Sequence, residues 1–385
     1  MRYMEKLLEG VRVEWEPISK ILIRTKGTKI TAEQMKKMHN IQAPLKIFAG
    51  GKTVAFVNFE DIPEKDINRE PSIIVKSRGI IEFEYYDKPF SHKNEMWSYH
   101  SKNEYLDIKF IYYFLKINEP YFQNIGNRMQ MPQISTPDTE KFKIPIPCPD
   151  NPKKSLKIQQ EIVRILDTFT RLIAELTAEL TARKKQYAYY REQLLTFKEG
   201  EVEWKSLGEV TNYKQPNKYL VKSTNYKDYF PIPVLTAGKT FILGYTNETT
   251  GVYKASENPI IIFDDFTTDN KWVDFDFKAK SGAMKMIISK DETKVILKYI
   301  YYWLNTLPKI TDGDHKRRWI GNYFNKLIPV PPLRVQQEIV RILDKFDTLT
   351  TSISEGLPRE IELRKKQYAY YREQLLDFPG EKENE

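Results

Sequence analysis

The chain has 385 residues, a formal net charge of +9 and an isoelectric point of about 9.1. With 41% hydrophobic residues it can bury folded cores, and its excess of Lys and Arg indicates a polyanionic partner. One cysteine, Cys148, excludes an internal disulfide framework, and the apolar runs are too short to span a membrane. Because Glu5 and Lys6 interrupt the first residues, no signal segment is expected, and we predict a cytoplasmic protein.

Residues 1–150 are predicted to form a mixed α/β domain with a curved sheet. Short β-type runs separated by Gly, Pro, Asn and Asp indicate its strands. These runs lie at residues 21–23, 47–48, 54–57 and 73–75. The apolar pattern near residues 107–116 predicts one helix in this domain.

Candidate DNA contacts of this first domain lie in its turns and loops. Arg can bind guanine, Asn and Gln can bind adenine, and Lys can bind phosphate. The candidates are Lys52, Lys76, Arg78, Asn127, Arg128 and Gln130. The alternative is an ordinary solvated loop, or for Lys52 a plain glycine-containing turn.

Residues 151–199 are predicted to be a long helix. Apolar residues recur at steps of four and three from Ile158 to Leu176, which is the seam of a helix that packs on another helix. From about 156 to 197 such a helix would be roughly 60 Å long, at 1.5 Å per residue. Because a single helix cannot bury this stripe, we expect a helical partner within the chain.

Residues 200–332 repeat the pattern of the first domain, with β-type runs at 260–263 and 286–288 and a helix near 294–304. The basic cluster at residues 315–319 follows a turn-rich segment, so we expect an exposed loop there. Asp264 follows an apolar strand and either accepts from cytosine or caps a turn. The candidate DNA contacts of this domain are Lys239, Asp264, His315, Lys316, Arg317 and Arg318.

Residues 333–379 form a second helical segment, followed by a tail at 380–385. The block at residues 183–195 recurs unchanged at 364–376, and the block at 159–167 recurs at 336–344. Gly356 and Pro358 interrupt the second copy, so a new helix should begin near Pro358. The sequence therefore indicates a tandem duplication of one unit, which consists of a domain followed by a helical segment.

Several catalytic motifs are missing. A phosphate-binding loop ending at Lys239 would need Gly where Pro233 stands, and the matching turn at Lys52 has Lys46 at that position. No Asn-Pro-Pro-aromatic or Asp-Pro-Pro-aromatic methyltransferase motif, G-x-G-x-x-G loop or G-x-S-x-G elbow occurs. We therefore expect no catalysis by this chain and no cofactor or metal bound to it.

The alternation of two variable domains with two helical repeats resembles the specificity subunits of type I restriction–modification enzymes. The repeats with Gln-Gln-Glu-Ile-Val-x-Ile-Leu-Asp and Arg-Lys-Lys-Gln-Tyr-x-Tyr-Tyr-Arg resemble the IC subclass in particular. The resemblance implies two target recognition domains, each recognising half of a bipartite, asymmetric double-stranded DNA site. It also implies that the helical repeats pair as an antiparallel coiled coil with a pseudo-two-fold repeat.

The same resemblance implies partners. Two modification subunits that carry S-adenosylmethionine would dock on the repeats, and two restriction subunits would use ATP and Mg. The docking residues are expected in the repeated block, at Arg183, Lys184, Gln186, Tyr187, Tyr190, Arg191, Arg364, Lys365, Gln367, Tyr368, Tyr371 and Arg372.

Two alternatives stay open at this point. One is a free-standing bivalent DNA-binding or architectural protein, and the other is a coiled-coil scaffold for proteins alone. The identical blocks disfavour both, because a repeated surface favours two copies of one partner. If the helices set the distance between half-sites, inserting Thr-Ala-Glu-Leu after Leu180 should lengthen the gap and leave both half-sites unchanged.

Overall fold

The computed structural model describes residues 8–127, 131–238, 240–308, 318–352 and 355–379, and the chain forms two compact units. Unit 1 comprises Met1–Glu175 with Glu362–Glu385, and unit 2 comprises Leu176–Ile361. Each unit therefore contains one variable domain and a segment of both helical repeats. The predicted boundaries between domains and repeats differ from this division, because the helical segments complete the cores of both units.

Unit 1 begins with short strands and helices in the order in which the chain runs. Its strands are β1 Val13–Pro17, β2 Ile23–Lys26, β3 Leu45–Phe48, β4 Val54–Val57, β5 Ser72–Lys76, β6 Glu82–Tyr86, β7 Phe90–His92, β8 Trp97–His100 and β9 Lys143–Pro147. Its short helices are α1 Ile18–Ile21, α2 Ala32–Met38, α3 Ile108–Ile117, α4 Glu119–Gly126 and α5 Thr136–Glu140.

The strands of unit 1 form three small sheets. A four-stranded sheet has the order β2-β8-β5-β6, and a three-stranded sheet has the order β4-β3-β7. β1 and β9 pair antiparallel, so Trp15 lies opposite Pro145. The proline-rich segment before the first repeat is thus the edge strand β9, a role in which proline is tolerated.

Helix α3 carries the main apolar face of unit 1. Asp107 caps it by accepting from the backbone N–H groups of Lys109 and Phe110, at 2.8 and 3.2 Å. Phe110 and Ile111 are fully buried against β5 and β6. The predicted helix near 107–116 is confirmed.

Unit 2 repeats this arrangement. Its strands are β10 Glu203–Ser206, β11 Thr211–Lys214, β12 Ile232–Leu235, β13 Ile242–Thr246, β14 Ile260–Asp264, β15 Asn270–Val273, β16 Lys278–Ala279, β17 Met284–Ser289 and β18 Leu327–Val330. The sheets have the orders β11-β17-β14-β15, β13-β12-β16 and β10-β18, which match those of unit 1. Its short helices are α7 Leu207–Val210, α8 Leu297–Leu304 and α9 Arg318–Gly321.

The helical repeats form three helices: α6 Pro152–Leu195, α10 Leu333–Thr351 and α11 Gly356–Leu376. The predicted break in the second repeat is confirmed at Gly356, which has a φ of +76°. A Cβ there would lie 2.4 Å from the carbonyl oxygen of Thr348, so glycine is required where the chain turns back on α10. No such turn interrupts α6, which is a continuous helix of 44 residues.

One strand prediction is wrong in part. Residues 21–23 were expected to be extended, but Ile21 ends helix α1 and only Ile23 begins a strand. Ile18 is fully buried and Leu22 nearly so, four residues apart. This spacing favours a helical turn over a strand, because residues four apart share a helix face.

Candidate nucleic-acid interface

A buried glutamine attaches the first helical repeat to its domain. The Gln159 side chain is fully buried, and its Oε1 accepts from the backbone N–H of Asp107 at 2.9 Å. Its Nε2 donates to the carbonyl oxygen of Tyr105 at 3.3 Å and to Ser155 Oγ at 3.0 Å. This amide therefore fixes the start of α6 to the loop that leads into α3.

The second repeat uses the same residue in the same way. Gln336 is fully buried, and its Oε1 accepts from the backbone N–H of Ile296 at 2.9 Å. Its Nε2 donates to the carbonyl oxygens of Lys294 and Pro331, at 2.9 and 2.8 Å. The repeated Gln-Gln-Glu motif is explained in both units by this attachment.

A repeated aspartate strengthens each attachment. In unit 1 the hydroxyl of Tyr113 donates to Asp167, and Lys109 Nζ lies 2.7 Å from the other carboxylate oxygen. In unit 2 the hydroxyl of Tyr302 donates to Asp344 at 2.5 Å. Burial, and then the hydrogen bond to the neighbouring carboxylate, raise the pKa of both tyrosines, so both stay protonated donors.

The helices pair through repeated aromatic residues. In unit 1 the ring of Phe169 on α6 lies 5.3 Å from that of Tyr371 and 6.4 Å from that of Tyr368 on α11. The segment of α6 that carries Phe169 begins near the domain, whereas the segment of α11 ends there, so the pair is antiparallel. Burial raises the pKa of Tyr368, which keeps this ring neutral.

Unit 2 contains the reciprocal pairing. The ring of Phe346 on α10 lies 6.0 Å from that of Tyr187 and 5.6 Å from that of Tyr190 on α6, both nearly parallel to it. Phe346 occupies in the second repeat the position that Phe169 has in the first. The predicted packing of the two repeats on each other is therefore confirmed, and the four tyrosines lie along its seam.

The remaining predicted docking residues lie beside or outside this seam. The guanidinium groups of Arg191 and Arg372 lie over the rings of Tyr187 and Tyr368. The Nη1 atoms of Arg183 and Arg364 donate to Gln186 and Gln367, at 2.9 and 3.0 Å. Among the predicted docking residues, Lys184 and Lys365 are exposed, as is the ring of Tyr190 at 40%.

Sequence reasoning missed one repeated pair. Tyr189 and Tyr370 stand at equivalent places in the two identical blocks, and their side chains are 59% and 50% exposed. Single exposed aromatic residues are common on protein surfaces, so it is the repetition at equivalent places that distinguishes these two. Their positions do not follow the helical spacing of the seam residues Tyr187 and Tyr190, so they had to lie on another face. This spacing is the signal that could have identified them.

The predicted segment around Arg78 meets residues 132–134, which closely follow the predicted contacts at 127–130 in the chain. The backbone N–H of Gly79 donates to the carbonyl oxygen of Pro132 at 2.9 Å, and that of Ile134 donates to Ser77 at 3.0 Å. Arg78 is exposed, and its Nη2 donates to Gln133 Oε1 at 3.1 Å. Asn127 is exposed directly after α4. We call residues 77–80 and 131–134 the paired loop of unit 1.

Two other predicted contacts of unit 1 differ in exposure. Lys52 is exposed on the turn between β3 and β4. Lys76 is buried, and its Nζ lies 2.6 Å from Glu82 and 2.8 Å from Glu84. Burial opposes the charged form of Lys76, but these hydrogen bonds outweigh it and raise its pKa. A phosphate contact by Lys76 would have to replace two carboxylate partners, and it stays untested.

Unit 2 joins the corresponding segments. The carbonyl oxygen and the Oδ1 of Asp265 accept from the backbone N–H of Arg318, at 2.9 and 3.1 Å. Asp264 is buried, and its carboxylate accepts from the backbone N–H of Phe266 and the hydroxyl of Thr267. The turn-capping alternative for Asp264 is thus confirmed, while a contact with cytosine stays untested. We call residues 264–268 and 318–319 the paired loop of unit 2.

The prediction of an exposed loop at residues 315–319 is wrong for its last two residues. Arg318 begins helix α9, and Trp319 is fully buried with its ring 5.0 Å from that of Phe263. Burial of the large indole ring removes apolar surface from water, and this stabilises the turn in the core rather than as an exposed loop. The other candidates of this kind lie outside the described residues: Arg128, Gln130, Lys239, His315, Lys316 and Arg317.

Metal sites and membrane-spanning helices are both absent from the described part of the chain. There, no group of three or more His, Cys, Asp and Glu side chains is placed to hold a metal ion. None of the helices among these residues is both long and apolar enough to cross a membrane.

Comparison with known proteins identifies a family. Residues 19–183 and 199–363 each match the model described as the type I restriction modification DNA specificity domain. The chain is 63% identical over 186 residues to the type I restriction enzyme EcoR124I/EcoR124II specificity subunit of Escherichia coli, which covers 46% of this chain and 45% of that protein. It is 31% identical over 400 aligned positions to the putative type I restriction enzyme specificity subunit S.HindORF215P of Haemophilus influenzae, covering 98% of each.

A solved structure shares the fold. The S subunit of a type I restriction–modification system from M. genitalium superimposes with a TM-score of 0.67 at 16% identity, covering 97% of this chain and 98% of that one. The mixed α/β fold with two domains and long helices is thereby confirmed. The chain belongs to the family of specificity subunits of type I restriction–modification enzymes, non-catalytic subunits that recognise a DNA sequence.

Proposed function

We propose that each unit recognises one half of a bipartite, asymmetric site in double-stranded DNA. The observation that carries this proposal is the paired loop, which is built in the same place in both units but with different chemistry. After the equivalent strands β5 and β14, unit 1 presents the exposed Arg78, whereas unit 2 has Asp265, whose carboxylate is buried and accepts from the backbone of Arg318 and Trp319, followed by Phe266. The exposed Arg78 suits the acceptors of guanine, and Phe266, two residues past the end of β14 as Arg78 is past β5, cannot make that contact, so the two units would select different bases.

Single-unit variants test this assignment. The full chain is co-expressed with its modification subunits, and methylated sites are mapped by sequencing for Arg78→Ala and for the double variant Arg317→Ala with Arg318→Ala. We expect each variant to relax a different half of the site, by about 1–3 kcal/mol per lost base contact. Relaxation of the same half by both variants, or uniform weakening across all sequences, would contradict the proposal.

We propose further that the helical repeats set the gap between the half-sites. Helix α6 has 44 residues, and at 1.5 Å per residue it is about 66 Å long. Inserting Thr-Ala-Glu-Leu after Leu180 adds about 6 Å of helix, which corresponds to roughly two base pairs. We expect a longer gap with both half-sites unchanged in the methylation map. An unchanged gap would contradict the role of the helices in spacing.

For partners, we propose two modification subunits that bind S-adenosylmethionine and two restriction subunits that use ATP and Mg, assembled in the cytoplasm. The support is the exposed face that the identical blocks share, at Lys184, Lys185, Tyr189, Lys365, Lys366 and Tyr370. Two identical faces fit two copies of one partner. The seam tyrosines would contribute to docking only at their exposed edges.

Native mass spectrometry tests this stoichiometry. The unchanged chain should bind two modification subunits, while Tyr189→Ala or Tyr370→Ala should each bind one at limiting concentration. Tyr229→Ala is the matched control, because Tyr229 is 79% exposed and lies outside the repeats. A chain that purifies alone and binds its site without any modification subunit would instead favour the free-standing DNA-binding alternative.

A further inference from the structure

The paired loop of unit 1 is a short antiparallel ribbon. Arg78 forms a bridge with Gln133, and Gly79 bonds to Pro132. Ile80 and Met131 are the next residues of the two segments beyond this hydrogen bond. The ribbon thus continues to the residue that adjoins the predicted contacts at 127–130.

On each segment of the ribbon, or directly after it, one apolar residue is buried and another is exposed. Ile81 and Ile134 are 1% and 3% exposed and belong to the core of unit 1. Ile80 and Met131 are 54% and 59% exposed. The two buried residues anchor the ribbon in the core. The two exposed residues are therefore not needed for that packing. Exposed apolar side chains on both segments of one ribbon are typical of a contact surface.

The charges around this pair favour nucleic acid as the contact. Arg78, two residues before Ile80, holds an exposed guanidinium that Gln133 orients. The nearest carboxylates on β6, Glu82 and Glu84, are both occupied by Lys76. The positive charge of Arg78 is therefore not cancelled by these carboxylates. Such a charge attracts a polyanion, and double-stranded DNA is a polyanion of high charge density.

The shape and the side chains indicate which part of the DNA would be contacted. The major groove admits a two-stranded ribbon, and there thymine presents its 5-methyl group to apolar side chains. We infer that the ribbon of unit 1 enters the major groove and that Ile80 and Met131 contact a thymine methyl, which makes them specificity-determining residues. This inference rests on the proposed function of unit 1 in recognising one half-site.

Deoxyuridine tests the inference without any change in the protein, because it differs from thymidine by the 5-methyl group alone. The full chain, assembled with its modification subunits, is titrated with duplexes in which each thymine of the unit 1 half-site is replaced singly by uracil. We expect about four-fold weaker binding at one position, the effect of one buried methyl group. A half-site without thymine, or equal binding at every position, would overturn the inference.

The variant Ile80→Ala with Met131→Ala should bind the thymine and uracil duplexes equally. Both side chains are more than half exposed, so the core of unit 1 is not opened. Ile41→Ala is the matched control: Ile41 is 68% exposed in the same unit, on another loop, and this variant should keep the four-fold ratio. An unchanged ratio in the double variant would assign the methyl contact elsewhere and overturn the inference.

The two proposals fail differently. If the unchanged assembly does not distinguish the specific duplex from one with a scrambled unit 1 half-site, the proposed function fails and this inference fails with it. If that discrimination is present but the thymine-to-uracil ratio is one throughout, the inference alone fails.

Discussion

The two units share one scaffold and differ in the loops that it presents. Gln159 and Gln336 make equivalent hydrogen bonds, and Phe169 and Phe346 make equivalent ring contacts with the other repeat. In the paired loops, by contrast, unit 1 presents the exposed Arg78, whereas in unit 2 Asp265 is buried and accepts from the backbone of Arg318 and Trp319. Sequence identity between the two units is thus concentrated where the helices are attached and paired. The units differ in sequence where bases would be selected.

The difference extends beneath the loops into the sheets. In unit 1, Ser91 and His92 on β7 lie opposite Ile47 and Phe48. In unit 2, the same register places Lys278 and Ala279 opposite the corresponding strand. Lys278 is 2% exposed, and its Nζ lies 2.9 Å from Glu248. The duplicated domain therefore tolerates polar changes under its surface, provided that each buried polar group has a partner.

The glutamine attachments should give the largest effect. In Gln159→Ala, the backbone N–H of Asp107 loses its buried acceptor, and we expect a loss of about 3 kcal/mol in the stability of unit 1. Gln336→Ala should cost unit 2 a similar amount. Hydrogen exchange followed by mass spectrometry reports the protection of each unit separately.

The neighbouring residues supply the control for these variants. Gln160 and Gln337 have the same side chain and are exposed, so Gln160→Ala and Gln337→Ala should change protection by less than about 0.5 kcal/mol. If Gln159→Ala lowered the protection of unit 2 as much as that of unit 1, the glutamines would not act as local attachments.

The aromatic pairing should give an intermediate effect. Phe169→Ala removes a half-buried ring from the seam with Tyr368 and Tyr371, and we expect about 2 kcal/mol of lost stability in unit 1. A double-mutant cycle with Tyr371→Ala should give a coupling of about 1 kcal/mol, measured by urea unfolding. Phe346→Ala with Tyr190→Ala is the matched cycle in unit 2. Additive changes in either cycle would show that the rings do not interact directly.

The sequence predicted the helices and the duplication well, because their signals are periodic and repeated. The seam residues and the break at Gly356 needed no tertiary information. The contact between the two segments of each paired loop could not be predicted from the sequence. Arg78 and Gln133 are far apart in the chain and meet only because of the sheet topology. For the same reason Trp319 was expected in an exposed loop, although Phe263 and Tyr323 enclose it. Charge alone did not distinguish the exposed Arg78 from the ion-paired Lys76.

The smallest expected effect is a difference in acid sensitivity between the units. His92 is fully buried in unit 1, and burial lowers its pKa, whereas unit 2 has Ala279 at the same register position. A lowered pKa in the folded state stabilises unit 1 above the unfolded value of about 6.5, and this contribution is lost as the pH falls below it. The loss should approach 1.4 kcal/mol per pH unit, about the limit for one proton.

Hydrogen exchange between pH 7.5 and pH 5.5, corrected for intrinsic rates, checks this difference. Peptides from residues 72–100 should lose protection at the lower pH, and peptides from residues 260–289 should keep it. His92→Gln, which cannot titrate, should remove most of the loss. Burial also lowers the pKa of His100, on the neighbouring strand β8, although this residue is less enclosed. An equal loss in His92→Gln would therefore assign the acid response to His100, and an equal loss in both units would contradict the contrast between His92 and Ala279.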